Sequence, residues 1–470
     1  MTGLQQLIRV LGETGCRPCG MFKTSRTVKC PGEGPRDASI VLLGEGLGAD
    51  EDALGRPFMG RAGQLLNRCI YSATLLRADL YLTNSVRCRP INALGSNRPP
   101  THKEIGYCNG FLQDELDHLS NKRVIVAMGA SATAALLRSA APTGGVLENQ
   151  GKVLWSERYG CWVILSIHPA LALRRPADAE WLVDDLVLAA RIAREGAPPV
   201  PKVAEVLVVR TWEAACAARD RLLGAARLAW DWESTGVHLT RDIGVCVAFC
   251  MEPGKATVFP RYEGGLAPIW SRAELRALDQ EILIPLLTSD VPKVGQNAEF
   301  DNAITKTTLG VAVRNIAGDT QVAHYLVKNH LGERAHGLKR LAVRYTAYGR
   351  YDDPLDAWLM EHGYTKDGKP DGVFMYKAPG ATLWPYNGTD AVVTFEVEPV
   401  ILEMIDAAGL RGAYAERLRF GANQGEMDRY GVRLDRPRLD TLAEDMGEAM
   451  AAMASQLEQL AGHPVNPNAH

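Results

Sequence analysis

Asp231 and Glu233 stand one residue apart at the end of an apolar, strand-like run, "LAWDWESTG" (228–236). Alternate side chains of a strand share a face, so both acids point one way while Trp230 and Trp232 point the other. Like charges on one face repel, and a cation between them relieves the repulsion. The chemistry open to this pair is therefore cation binding. Further along, "VGQNAEFDNAIT" sets Asn297, Phe300 and Asp301 at the start of a helix, and "WPYNGTDAVVTFEV" sets Tyr386 and Asp390 four residues apart on one helical face. Taken alone, a short acidic pair reads more readily as a solvated strand end, since such pairs are common in any sequence. The three patterns in this order, over about 160 residues, are a far more specific combination.

Ten cysteines offer a second chemistry, and seven of them fall in the first 161 residues. In a cytosolic chain they are ligands or buried thiols rather than disulfides. Cys16 and Cys19 form a C-x-x-C, Cys88 sits in "VRCRP" and Cys108 in "GYCNGF". Together they supply four thiolates for zinc or for an iron–sulfur cluster. Cys30, Cys69 and Cys161 are rivals for the ligand role or plain core thiols.

The elements that must position these residues follow two α/β rhythms. Residues 1 to 195 alternate strand-like runs ("ASIVLLGEG", "DLYLTNSV", "RVIVAMG", "CWVILSIHP") with helical stretches, which predicts a three-layer sandwich around a parallel sheet with active loops at the strand ends. A Pro-rich linker spans 196–203, and a second α/β domain with a mixed sheet is expected over 204–410. Residues 411–470 read as helical: Asp435 caps a long helix, Pro437 suits its first turn and Gly462 ends it. The 470 residues are 46% hydrophobic and 23% charged, ordinary for a soluble globular protein of two or three domains. A formal net charge of −3 excludes a global basic field, so any nucleic-acid contact is local. No stretch is apolar enough to span a membrane and no signal peptide opens the chain, so a cytoplasmic protein without membrane partners is expected. Nothing demands more than a monomer.

The acidic pattern resembles the 3′-to-5′ proofreading exonuclease domain of family A DNA polymerases, of the DEDD type with tyrosine. The resemblance covers about 204–400 and includes "DTQVAHYLV". It implies an RNase H-like fold in which Asp231, Glu233, Asp301 and Asp390 hold two magnesium or manganese ions about 4 Å apart. Tyr386 then positions the attacking water, and Asn297 and Phe300 hold the strand end. Asp319 resembles a family position outside the metal set, while His324, His330 and His336 are structural or surface residues. "GEMDRYGVRLDRPRLDTLAEDMGEAM" resembles the connection to a polymerase domain; 470 residues leave no room for polymerase catalytic motifs, so no DNA synthesis is expected.

The first domain resembles the family 4 uracil-DNA glycosylases through "LLGEGLGADEDALGRPFMGRAGQLL", "YLTNSVRCRP" and "SIHPALALRR", over about 10–195. That resemblance implies a four-iron four-sulfur cluster on Cys16, Cys19, Cys88 and Cys108. A uracil flipped from the stack would meet Asn84 on its Watson–Crick edge and Phe58 on its face. His168 would donate to uracil O2 as charge builds there, and Glu45 would lie near the sugar. Two positions depart from the family: Leu47 replaces the usual proline and Ala170 a common serine.

The expected whole is a DNA-processing enzyme of bacteriophage type, the N-terminal and exonuclease part of a family A polymerase. It joins uracil excision to metal-dependent proofreading on DNA, with replisome proteins as further partners. The alternative is a non-catalytic uracil or DNA sensor, an iron–sulfur scaffold, fused to an active exonuclease.

Overall fold

The computed structural model describes residues 19–138, 141, 142, 145–329, 333–366, 368–431 and 433–465. Cys16 and His330 lie outside the described residues. Two compact units are formed, Met1–Leu418 and Arg419–His470.

The first sheet is built from short apolar runs, β1 (Ile40–Gly44), β2 (Tyr81–Asn84), β3 (Val124–Met128), β4 (Val153–Ser156) and β5 (Cys161–Ser166), in the order β2-β1-β3-β5-β4. β1, β2 and β3 are buried along their whole length, as strands covered on both faces must be. β2, β1, β3 and β5 run parallel, so their carboxyl ends and the loops that follow share one edge. β4 is antiparallel to β5, an edge strand that the parallel reading of this sheet did not include. It arises from "VLWSERYGCWVILS", where a tight turn takes the place of a helical crossover. Among the helices around this sheet, α1 (His102–Asp117) carries Cys108 behind a Thr101–Glu104 capping box, α2 (Pro169–Arg174) starts at His168, and α3 (Ala179–Glu195) buries Trp181, Leu182 and Leu186.

The second sheet comprises β6 (Glu205–Val208), β7 (Leu228–Ser234), β8 (Gly244–Glu252), β9 (Lys255–Pro260), β10 (Lys293–Gly295) and β11 (Ile316–Asp319), ordered β11-β10-β7-β8-β9-β6. It is mixed: β7 and β9 each run antiparallel to β8, while β10 is parallel to β7 and β6 to β9. α4 (Ala298–Leu309) follows β10, and α5 (Thr320–Val327) follows β11. Asp319 ties these two starts together, accepting from the N–H groups of Asn297, Ala298, Gln321 and Val322 at 2.8 to 3.2 Å. α6 (Leu338–Tyr345) comes next, then α7 (Gly380–Ala407), a long helix that carries Tyr386 and Asp390 across the sheet. His324 and His336 are buried against each other, Nδ1 to Nδ1 at 2.8 Å, with Tyr345 bonded to the far nitrogen of His324. They are packing residues, as expected of them.

Two further helices follow, α8 (Arg411–Tyr430) and α9 (Arg436–Ala461). Asp435 caps α9 by accepting from the Arg438 N–H, and Gly462 ends it in the left-handed region.

Candidate functional site

Strand alternation puts Asp231 and Glu233 on one face of β7, and the helical spacing of α7 brings Asp390 over them. Among the described residues, Asp231, Glu233 and Asp390 form the one group of three whose ligand atoms all lie within 4.8 Å of one another. Asp301 enters from α4, where its Oδ1 accepts the Trp232 N–H at 3.1 Å, and is not part of that tightest group. Its place is fixed further by Thr305, which donates to the Asp301 carbonyl and accepts from the Trp232 indole. Burial pushes all four carboxyls above the ordinary carboxylate range; repulsion from neighbouring acids adds to the rise at Asp231, Glu233 and Asp301, whereas Lys339 and Tyr351 offset part of it at Asp390. Such a cluster favours protons or cations over bare charge.

Three residues that sequence reading passed over complete this cluster. Asn387, fully buried, donates through Nδ2 to the carboxylate of Asp231 at 2.8 Å and to its carbonyl at 3.1 Å. Lys339 on α6 and Tyr351 both donate to Asp390 Oδ1, and Lys339 also donates to the Tyr351 hydroxyl at 2.9 Å. The Lys339 ammonium lies 4.0 Å from the ring centre of Tyr386. Tyr386 is half-buried, and its hydroxyl is held protonated by burial and by Asp390. Asn297 is exposed at φ 59°, one turn before Asp301, and Phe300, the residue next to Asp301, is half-buried. Asn387 had a signal, since it lies three residues before Asp390 on the same helix. Lys339 and Tyr351 had none, being 51 and 39 positions from Asp390.

At the carboxyl edge of the first sheet, the parallel register sets Gly44 level with Asn84. A Cβ on Gly44 would stand 2.4 Å from Phe58 Cζ and 2.6 Å from Asn84 Oδ1, so Phe58 and Asn84 close on the same spot. Phe58 sits at φ 55°, costly for a bulky residue, and Gly63 permits it because any Cβ there would strike the Phe58 carbonyl. The His168 ring lies 6.4 Å from that of Phe58. His168 Nδ1 accepts the Ala170 N–H at 3.2 Å, which leaves the ring proton on Nε2. Burial draws this imidazole down to about 4, so it is neutral at ordinary pH. Glu45 accepts from the Ser131 hydroxyl at 2.7 Å, and its carbonyl from Ser85 at 2.5 Å. Leu47 is buried in the same loop.

Residues 31–190 match the family model described as the uracil DNA glycosylase superfamily, and residues 207–406 match the model described as 3′-5′ exonuclease. A type-4 uracil-DNA glycosylase of Archaeoglobus fulgidus is 37% identical over 179 residues, covering 37% of this chain and 86% of that protein. The chain belongs to the uracil DNA glycosylase superfamily. Its second domain is a 3′-5′ exonuclease domain of the family A DNA polymerases. DNA polymerase I of Pseudomonas aeruginosa is 26% identical over 308 residues, covering 63% of this chain and 32% of that one. The DNA polymerase of Bacillus phage SP01 is 24% identical over 401 residues, covering 80% of this chain. The chain spans 41% of that phage polymerase.

In the glycosylase domain, Cys19, Cys88 and Cys108 pack in one apolar layer with Met21 and Ile105. Cys88 Sγ accepts the Lys29 N–H at 3.4 Å. Three thiols in one layer, one already taking a backbone donor, fit an iron–sulfur group by donor chemistry, although among the described residues they are not as tightly gathered as the carboxylates. Cys30 is pushed up to about 12 and Cys161 to about 11 by burial, and Cys69 is raised for the same reason, as in core thiols. The exonuclease carboxylates fit divalent cations, because the charge they lack is the charge such ions bring. Among the described residues no helix is long and apolar enough to cross a membrane.

Proposed function

We propose that this chain acts on DNA with two centres: it excises uracil through the glycosylase domain and removes nucleotides from 3′ ends through the exonuclease domain. The observation that carries the reading is the convergence of Asp231, Glu233 and Asp390 within 4.8 Å inside a domain of 3′-5′ exonuclease type. Magnesium or manganese ions held by these acids with Asp301 would supply Lewis-acid activation of water and stabilisation of the leaving 3′ oxygen. Asn387 orients Asp231, Tyr351 orients Asp390, and the protonated Tyr386 hydroxyl is available to orient the attacking water. Asn297 and Phe300, at the start of α4, hold the terminal nucleotide.

In the glycosylase domain, Phe58 stacks on a flipped uracil and Asn84 pairs with its edge. His168, neutral with its proton on Nε2, donates to the base oxygen where negative charge develops as the glycosidic bond breaks. Glu45, held by Ser131, faces the sugar. A four-iron four-sulfur cluster on Cys16, Cys19, Cys88 and Cys108 would tie the segment before β1 to the loop after β2 and to α1. The chain works in the cytoplasm as a monomer, beside replisome proteins, as a phage-type replication enzyme.

The test uses anaerobically purified protein and a labelled single strand with one internal uracil. EDTA silences the metal-dependent centre, and alkali reveals abasic sites. Cleavage at the uracil that vanishes in Asn84→Ala supports excision. An intact strand, with 3′ trimming restored by magnesium, selects a uracil sensor in its place.

A further inference from the structure

α6 faces two ways. Lys339 points from it into the exonuclease carboxylates, while Arg340 and Arg344, one turn apart, point into the glycosylase domain. Arg340 donates to the Gln150 side chain and, at 3.2 Å, to the Leu147 carbonyl, with its guanidinium 4.6 Å from the ring centre of Trp181 on α3. Arg344 pairs with Glu180 and, at 3.5 Å, with Asp184. Lys328 reaches Glu180 at 3.8 Å, and Arg350 donates to the Gln150 carbonyl at 3.4 Å. Four cations of one domain thus meet a face of the other built from Glu180, Asp184, Gln150 and Trp181. That face is itself braced, since Gln150 donates to the buried Asp185 at 2.8 Å.

We propose that the glycosylase domain positions the resident cation of the exonuclease centre. Lys339 is the ammonium that neutralises Asp390 before any ion arrives, and a divalent ion entering at Asp390 must displace it. Its reach is set by the register of α6, and that register is held from the other domain by Arg340 and Arg344. The ease with which the exonuclease loads metal then depends on the domain contact. Arg340 and Arg344 are positioning residues, since their guanidinium groups bond to Gln150, Leu147, Glu180 and Asp184 rather than to the exonuclease carboxylates. This inference rests on the exonuclease reading given above.

The measurement is manganese binding to the full-length protein without DNA, read as loss of the free-ion paramagnetic resonance signal. Lys339→Met should bind the first ion about fivefold or more tightly, because its competitor is gone. Arg344→Glu should shift the affinity the same way, and so should Glu180→Arg, made on the opposite domain and remote from the carboxylates. The charge swap Glu180→Arg with Arg344→Glu should restore wild-type affinity, a rescue that loss of folding does not permit. In the Lys339→Met background, Arg344→Glu should add nothing. Unchanged affinity in Arg344→Glu and Glu180→Arg, or an Arg344→Glu effect that persists without Lys339, would overturn the coupling. Wild-type manganese binding that ignores Asp231→Asn would overturn the exonuclease reading itself, a different result from failure of the coupling alone.

Discussion

Asn387 holds Asp231 by two bonds from one amide, 2.8 Å to the carboxylate and 3.1 Å to the main-chain carbonyl, from a fully buried position on α7. The arrangement fixes both the carboxylate and the strand that carries it. Asn387→Leu removes both bonds and leaves the half-buried Asp231 carboxylate short of a donor, at a cost of about 1 kcal/mol. Exonuclease kcat/KM on a single strand should fall roughly 10- to 100-fold, the usual penalty for losing a residue that orients a metal ligand. Steady-state trimming of an end-labelled oligonucleotide checks this, with circular dichroism to show that the fold persists. Wild-type kinetics would rule the amide out as an orienting group.

The glycosylase domain rests on a buried ion pair. Arg87 and Glu115 bond in bidentate fashion, and Glu115 also accepts from Tyr81, Thr83 and the Gly32 N–H. Arg87 precedes Cys88, so the pair anchors the loop after β2. Glu115→Ala strands a buried guanidinium and should destabilise this domain by about 3–5 kcal/mol, whereas Arg87→Met with Glu115→Leu should recover most of that loss. Urea unfolding followed by circular dichroism gives both values. A double variant no more stable than the single would show that the contact is not the source of the cost.

Much of this was legible in sequence because it is local. Asp231 with Glu233, and Tyr386 with Asp390, declare themselves by strand and helix periodicity, and Asp435 and Gly462 mark the ends of α9 by capping chemistry. Asp319 reads differently in three dimensions: its carboxylate is consumed by four backbone donors, a role for which sequence offers no sign. Lys339, Tyr351, Arg340 and Arg344 were not legible, because each gains its meaning from a partner far along the chain, and a lysine or arginine on a short helix is ordinarily a solvated surface residue. β4 escaped for another reason: its turn follows a parallel run, where a crossover is the rule.

The four raised carboxyls of the exonuclease centre imply an opposite pH response with and without metal. A folded-state value above the unfolded one gives stability that is present at low pH and lost as pH rises through the raised value. The metal-free exonuclease domain should therefore lose stability from mildly acidic toward alkaline pH as its acids ionise against one another. Bound cations displace those protons, so manganese should raise Tm more at about pH 8 than at about pH 6. Calorimetry with and without manganese tests this, and a metal effect independent of pH would remove the carboxylates from the account.

His168 should work as a neutral donor. Burial draws it from 6.5 to about 4, and the Ala170 N–H on Nδ1 fixes the tautomer that presents Nε2–H. A depressed value means that between 6.5 and about 4 the unfolded chain takes up a proton that the folded chain refuses. The folded state then loses stability as pH falls through that window, while the imidazole itself stays neutral almost to its lower end. Single-turnover uracil release in EDTA should accordingly show no inflection near 6.5 and should decline only as pH approaches about 4. His168→Gln should slow release by roughly 10²–10³-fold, the loss expected for one donor at a developing oxyanion. It should leave binding of uracil-containing DNA nearly intact, because the donor acts on charge that forms only in the transition state. A rate that follows a group titrating near 6.5 would mean that the imidazole acts as a cation and that its environment is more open than the structure places it.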